Sequence, residues 1–278
     1  IATAPVTQPF ATGVAANFED ETPVEVEVTE VDSRAALARL CAGEVAMAAV
    51  DLPVVREGAG PARAGAIAFP DELRRSCRRN GVEPLRVDLG FLAVAVVASS
   101  ELELDCMSAA ELRRVWRAGS PVHRYELYGA APGTAAFELF AREVIGRGDG
   151  IRAGWTQVED AATIRERLAA ADNALAFVNR EVLYGLPDGV EPVAVDAGRG
   201  CRLPQVSTVR DGRYPLTTPL YLYISRSALD RLRVRSLARF TVENYSQVVS
   251  NTRTIVAADP AVVERSARQL PPAPIPGG

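Results

Sequence analysis

The chain's chemical inventory is narrow. It holds 35 acidic side chains, 31 basic ones, a single histidine and four cysteines in 278 residues. Every basic residue is arginine. That removes Schiff-base lysine chemistry, a phosphate-loop lysine and a lysine general base, and a GC-rich genome accounts for the bias. His123 alone cannot build a multi-histidine metal site; beside Arg124 it reads as a surface imidazole next to a loop. Asp32 and Asp51 could be imagined as a general acid/base pair, but two loop carboxylates with capping duties are the simpler reading. Ser33, Ser108 and Ser225 have no histidine or aspartate partner in a nucleophile motif. No G-x-G-x-x-G or phosphate-loop spacing occurs. The residues therefore predict no enzyme, no metal and no cofactor. Arg74-Arg75 and Arg78-Arg79 form a basic helix end, suited to an acidic partner face or, more simply, to solvent.

The cysteines are Cys41, Cys77, Cys106 and Cys201, and none sits in a C-x-x-C pair, which argues against a zinc ribbon or a thioredoxin-type site. Two structural disulfides in an oxidising compartment fit an even, widely spaced set; four buried thiols in a cytosolic protein fit it too. Three connectivities are open and spacing does not choose among them. The formal charge of -4 excludes a whole-protein basic field for nucleic acid. No apolar run approaches the ~18 residues of a membrane span. Ile1 leads almost directly into ordered sequence, so the chain reads as mature or trimmed, with an anchor removable with the missing segment.

Elements that could position these residues follow from periodicity. Pro9 to Phe18 places Phe10, Val14 and Phe18 on one helical face. Val24 to Val28 alternates as a strand with one wet face. Ser33 reads as the N-cap of a helix through Leu37, Leu40 and Cys41, ended by Gly43. Val45 to Val50 is a short strand, Arg56 to Gly65 a loop, and Asp71 to Asn80 a helix closed by Asn80-Gly81. Val82 to Val87 and Gly90 to Ala98 read as two strands. Ser108 and Glu111 form a capping box for a helix through Trp116. A strand at Leu127-Tyr128 precedes a helix from Ala135 to Ile145. Glu159 to Ala170 is helical; Ala174 to Val178 and Val190 to Val195 are strands; Tyr214 to Ser225 is extended. Ser227 to Val249 supplies two helices and Pro260 to Ala267 one more. Trp116, Trp155, Phe137 and Phe140 are core candidates. Gln269 to Gly278, with four prolines and two glycines, is a tail. Strands alternating with helices predict α/β lobes with largely parallel sheets.

Six stretches carry a resemblance: Leu40-Cys41-Ala42-Gly43-Glu44, Cys77 to Glu83, Leu92 to Val96, Glu111 to Trp116, Asp172 to Phe177, and Tyr214 to Tyr223. In this order they resemble the PstS-like periplasmic phosphate-binding proteins of ABC transporters. The resemblance implies a two-lobed α/β periplasmic-binding-protein fold of type II with two hinge-crossing strands. Residues 1–95 with 220–268 would form one lobe and 96–219 the other, followed by the 269–278 tail. It implies disulfides Cys41–Cys77 and Cys106–Cys201 and a periplasmic or extracytoplasmic location. It also implies phosphate as ligand and an ABC permease as partner.

The ligand set carries over poorly. The first hydroxyl-rich loop of the family falls on Thr3 to Thr7, with Val6 at the key hydroxyl position and Thr7 beside it. The second, glycine-rich loop is Glu30-Val31-Asp32-Ser33. The third is Val50-Asp51-Leu52-Pro53. A shifted register offers Pro132-Gly133-Thr134 as the helix start in the second lobe. Thr7, Ser33, Asp51 and Thr134 are thus the candidate ligand contacts. Asp32 and Asp51 would repel a dianion unless an arginine compensated. The expectation is a binding-protein scaffold with most phosphate ligands missing. Such a scaffold would serve as an interaction or structural subunit of an extracytoplasmic or membrane-bound assembly, without nucleic acid.

Overall fold

The computed structural model describes residues 1–51, 71–146, 150–158, 160–252 and 254–272. The expected loop at Arg56 to Gly65, Pro53, Glu159 and the end of the expected tail lie outside the described residues. The chain divides into two compact units, Ile1–Phe91 with Thr218–Gly278, and Leu92–Thr217.

The first unit opens with β1 (Ala2–Thr3), α1 (Gln8–Glu21), β2 (Thr29–Glu30), α2 (Ser33–Ala42), β3 (Met47–Val50) and α3 (Asp71–Arg79). It then enters β4 (Pro84–Ser99), whose residues from Leu92 onward belong to the second unit. There the chain forms β5 (Cys106–Ser108), α4 (Ala109–Trp116), β6 (Glu126–Ala130) and α5 (Ala135–Phe140), which runs on as a π-helical turn to Ile145. β7 (Thr156–Val158), α6 (Ala161–Ala169), β8 (Ala174–Asn179), β9 (Val190–Asp196) and α7 (Val206–Arg210) follow. β10 (Thr217–Ser225) returns the chain to the first unit, which closes with α8 (Leu232–Glu243), α9 (Tyr245–Thr252), β11 (Ile255–Ala257) and α10 (Pro260–Ala267).

In the first unit β1 lies between β2 and β3, parallel to both, and β3 pairs antiparallel with β10. In the second, β8 runs parallel to β6 and β6 to β7, while β4 pairs antiparallel with both β8 and β9. The sheets are therefore mixed rather than largely parallel. The antiparallel members, β4 and β10, are the two strands shared by the units, so they cannot be products of a local βαβ crossover.

Local chemistry explains most boundaries. Asp32, not Ser33, caps α2: its carboxylate accepts the Ala35 N–H at 2.9 Å. Gly43 stops that helix in the left-handed region at φ 78°. The Ser108–Glu111 capping box is formed reciprocally. Val24 to Val28 keeps its alternation of half-buried valine and exposed glutamate but makes no ladder. The Val26 N–H donates to the Glu19 carboxylate at 2.6 Å and the Glu27 carbonyl accepts from Ile1, so these groups are satisfied without a strand partner. Val82 to Val87 and Gly90 to Ala98 are not two strands; from Pro84 they run as one, because Gly90 takes φ 115° and lets β4 change course without breaking.

Both cores are aliphatic with aromatic centres. In the first unit Leu37, Leu40, Val50 and Tyr223 are buried together with Cys41 and Cys77, and Phe18 meets Phe240 edge-on at 5.3 Å. In the second, Phe140 stacks on Phe177 at 4.0 Å and Trp116 meets both rings edge-on. Gly129 makes room for this cluster: a Cβ there would lie 2.3 Å from the Phe177 ring.

Tyr214 is buried and donates its hydroxyl to the Val94 carbonyl at 2.8 Å. Burial pushes its pKa well above the ordinary tyrosine value. The folded state thus favours the neutral phenol. Its contribution is complete below about pH 10, the unfolded value, and is lost as pH rises beyond it. Tyr214→Phe is expected to cost about 1–2 kcal/mol at pH 7 in urea unfolding, and to flatten the fall in stability between about pH 9.5 and 11. Equal stability loss at both pH values would contradict this account.

Candidate functional site

Three of the four candidate ligand residues converge at one end of the first unit's sheet. β1, β2 and β3 are parallel and in register, with Thr3 opposite both Glu30 and Ala49. Their carboxyl ends therefore open on the same side, the place where open α/β sheets hold ligands. Thr7 lies between β1 and α1, Ser33 begins α2, and Asp51 follows β3.

The hydroxyls there are already engaged. Thr7 is fully buried; its Oγ1 lies 2.7 Å from the Ala49 carbonyl, to which it donates, and 2.9 Å from the Thr3 hydroxyl. Its role is to tie the start of α1 to β3. Ser33 Oγ donates to the Asp51 carboxylate at 2.5 Å, and the Asp51 N–H lies 3.4 Å from the same oxygen. Asp32 fills the position over the α2 N-terminus, where an anion would otherwise meet free N–H groups. A further anion ~5 Å from such a carboxylate meets roughly 1–3 kcal/mol of repulsion per pair of unit charges, between water-like and surface-like dielectrics. Among the described residues at this end of the sheet, protein carboxylates thus accept both the Ser33 hydroxyl and the Ala35 N–H.

Thr134 belongs to the second unit. It caps α5, accepting the Phe137 N–H at 3.3 Å and donating to the Ala131 carbonyl at 2.7 Å. Its hydroxyl is also spent locally. His123 is exposed, and its Nδ1 lies 3.0 Å from the Arg152 guanidinium. Sequence reasoning missed that partner because it sits 29 residues away in the chain. Among the described residues there is no cluster of three or more His, Cys, Asp or Glu able to hold a metal. No helix among them is long and apolar enough to cross a membrane. Both disulfides are present, Cys41–Cys77 in the first unit and Cys106–Cys201 in the second.

Two α/β units traded through two long strands, with helix N-termini at the strand ends, define a two-lobed periplasmic-binding-protein fold. The chain belongs to the PBP superfamily: the model of the PBP superfamily domain matches residues 1–239, and its fold is that of solved periplasmic binding proteins. It is similar to a possible phosphate binding protein from Planctomyces limnophilus, with a TM-score of 0.83, 20% identity, and coverage of 97% of this chain and 96% of that one. It is also similar to an ABC-type phosphate transport receptor from Vibrio cholerae, with a TM-score of 0.63, 12% identity, and coverage of 90% and 97%. Protein SphX of Synechococcus elongatus is 22% identical over 253 residues, covering 85% of this chain and 70% of that protein.

Proposed function

We propose that this PstS-like chain has kept the binding-protein scaffold without the phosphate grip, and works outside the cytoplasm as an interaction or structural subunit of a protein assembly. The carrying observation is the Ser33–Asp51 hydrogen bond of 2.5 Å. The one hydroxyl best placed at the α2 N-terminus gives its proton to a protein carboxylate, and Asp32 caps the helix beside it. Phosphate would have to displace both. The two disulfides support an oxidising compartment. The second reading is a receptor for phosphate or another small anion that delivers to an ABC permease. It draws on the phosphate-binding descriptions of the Planctomyces and Vibrio proteins.

Phosphate titration separates the two. A site with Kd of ~1 μM would stabilise the fold by about 4 kcal/mol at 1 mM phosphate. For a protein of this size that raises Tm by roughly 8–16 °C. The expected result is no calorimetric heat and no such shift at neutral pH. A submicromolar Kd would replace the first reading with the second.

A further inference from the structure

Among the described residues only three large hydrophobic side chains are exposed, and two of them, Tyr184 and Leu203, belong to the second unit. Tyr184 is 62% exposed, yet it is held from three directions. The Arg180 guanidinium lies 5.1 Å over its ring and donates to its hydroxyl at 2.9 Å. Arg165 donates to its backbone carbonyl at 2.8 Å. Arg180 Nε also donates to the Pro204 carbonyl at 2.7 Å, which fixes the tyrosine against the segment carrying Leu203. An exposed aromatic normally keeps its rotamer freedom. With Arg180 on its ring and hydroxyl and Arg165 on its backbone, Tyr184 gives up less of that entropy when a partner arrives, as anchor residues of interfaces do.

Next to this anchor lies a concavity of about 480 Å³, lined among others by Arg202, Leu203, Gln205, Thr208 and Arg213. Its segment carries a local positive excess in a chain that is acidic as a whole. Residues 194–214 contain four arginines and two aspartates, a net of +2 in a chain whose total is -4. Asp196 turns its carboxylate onto three backbone N–H groups, of Gly198, Arg199 and Gly200, and Asp211 pairs with Arg213. Both acids are thus engaged within the segment, Asp211 by Arg213, while Arg199 is exposed and Arg202, which lines the concavity, is half-exposed.

We infer that this face, Tyr184–Arg180 with the Arg202–Arg213 concavity, is a docking surface for an acidic peptide segment of a partner protein that carries an aliphatic or aromatic anchor. The inference rests on the interaction-subunit reading and names the chemistry of the partner. Charge complementarity selects the acid; the rigid tyrosine and the adjoining hollow take the anchor.

The test is selection of displayed random 12-residue peptides on the intact, oxidised chain, followed by fluorescence titration of the enriched sequences. The expected pool is net acidic with at least one large apolar residue. Its members should bind at least tenfold more weakly to Tyr184→Ala and to the Arg202→Glu/Arg213→Glu double variant. They should bind unchanged to Leu232→Ala, which removes the third exposed hydrophobic on the other unit. Arg202→Lys/Arg213→Lys should retain most of the affinity, which separates lost charge from lost folding. No enrichment, a pool without acidic bias, or equal binding to all variants would overturn the proposal. Phosphate titration of the same preparation keeps the two ideas apart, because every residue of this face lies outside the loops that hold Thr7, Ser33 and Asp51.

Discussion

Replacing Cys106 and Cys201 together by alanine is expected to lower the unfolding free energy by about 5 kcal/mol, and replacing Cys41 and Cys77 by about 4 kcal/mol or more. The bridges close loops of 95 and 36 residues. In the chain-entropy model those lengths correspond to roughly 4.7 and 3.8 kcal/mol. Cys41 and Cys77 are buried, so their loss also removes packed sulfur from the first unit's core and narrows the gap between the pairs. Domains of ordinary stability hold about 5–15 kcal/mol in total, so either variant approaches the point where the native state is no longer dominant. Urea unfolding of the oxidised proteins measures this directly. Losses under about 1 kcal/mol for both would show that neither bridge constrains the unfolded chain. The two bonds also differ in access. Cys201 is exposed and Cys106 half-buried, whereas Cys41 and Cys77 are 0% and 4% exposed. A thiol reductant should therefore reach Cys106–Cys201 first, and alkylation with mass mapping after partial reduction should label those two cysteines before the others.

Gly90→Ala is the most damaging single substitution expected, at about 3–5 kcal/mol. Gly90 sits inside β4 at φ 115°, a conformation an L side chain adopts only with strain of about 1–3 kcal/mol. Its Cβ would lie 2.2 Å from the Val256 carbonyl oxygen and 2.9 Å from the Ala258 nitrogen. Both are backbone atoms of the β11 region, which Tyr245 pins: its hydroxyl donates to the Leu89 carbonyl and accepts the Ala258 N–H, each at 2.8 Å. No flexible side chain can move aside, so the backbone itself must shift, and overpacking of that kind adds another 1–3 kcal/mol or so. Chemical denaturation of the variant gives the figure. Gly81→Ala is the useful contrast, since it shares a positive φ but has nothing within 4 Å of its Cβ. If the two variants lose the same amount, crowding at Gly90 contributes nothing and only the dihedral matters.

Much of the architecture was legible because its signals are local. The capping box at Ser108 and Glu111, the Gly43 stop after α2, and the apolar face of α1 each depend on residues within one or two helical turns. The resemblance supplied what locality could not, the pairing of Cys41 with Cys77 and of Cys106 with Cys201, since cysteine spacing left three connectivities open. Errors arose where a local signal met a distant partner. Val24 to Val28 alternates like a strand, yet Glu19 and Ile1 satisfy its backbone. Ser33 looked like a cap, but Asp32 took that duty and freed the serine hydroxyl for Asp51, 18 residues away.

The sequence by itself determined the α/β class, most helix starts, and the absence of lysine chemistry and of multi-histidine metal sites. Those properties are fixed by residue identity and short spacing. Tertiary structure alone decided that Thr7 spends its hydroxyl on Ala49, that Ser33 spends its own on Asp51, and that Arg180 holds Tyr184 rigid against the Leu203 segment. A hydrogen bond needs its partner within about 3 Å, and no linear pattern records which of many distant groups the folded sheet will bring that close.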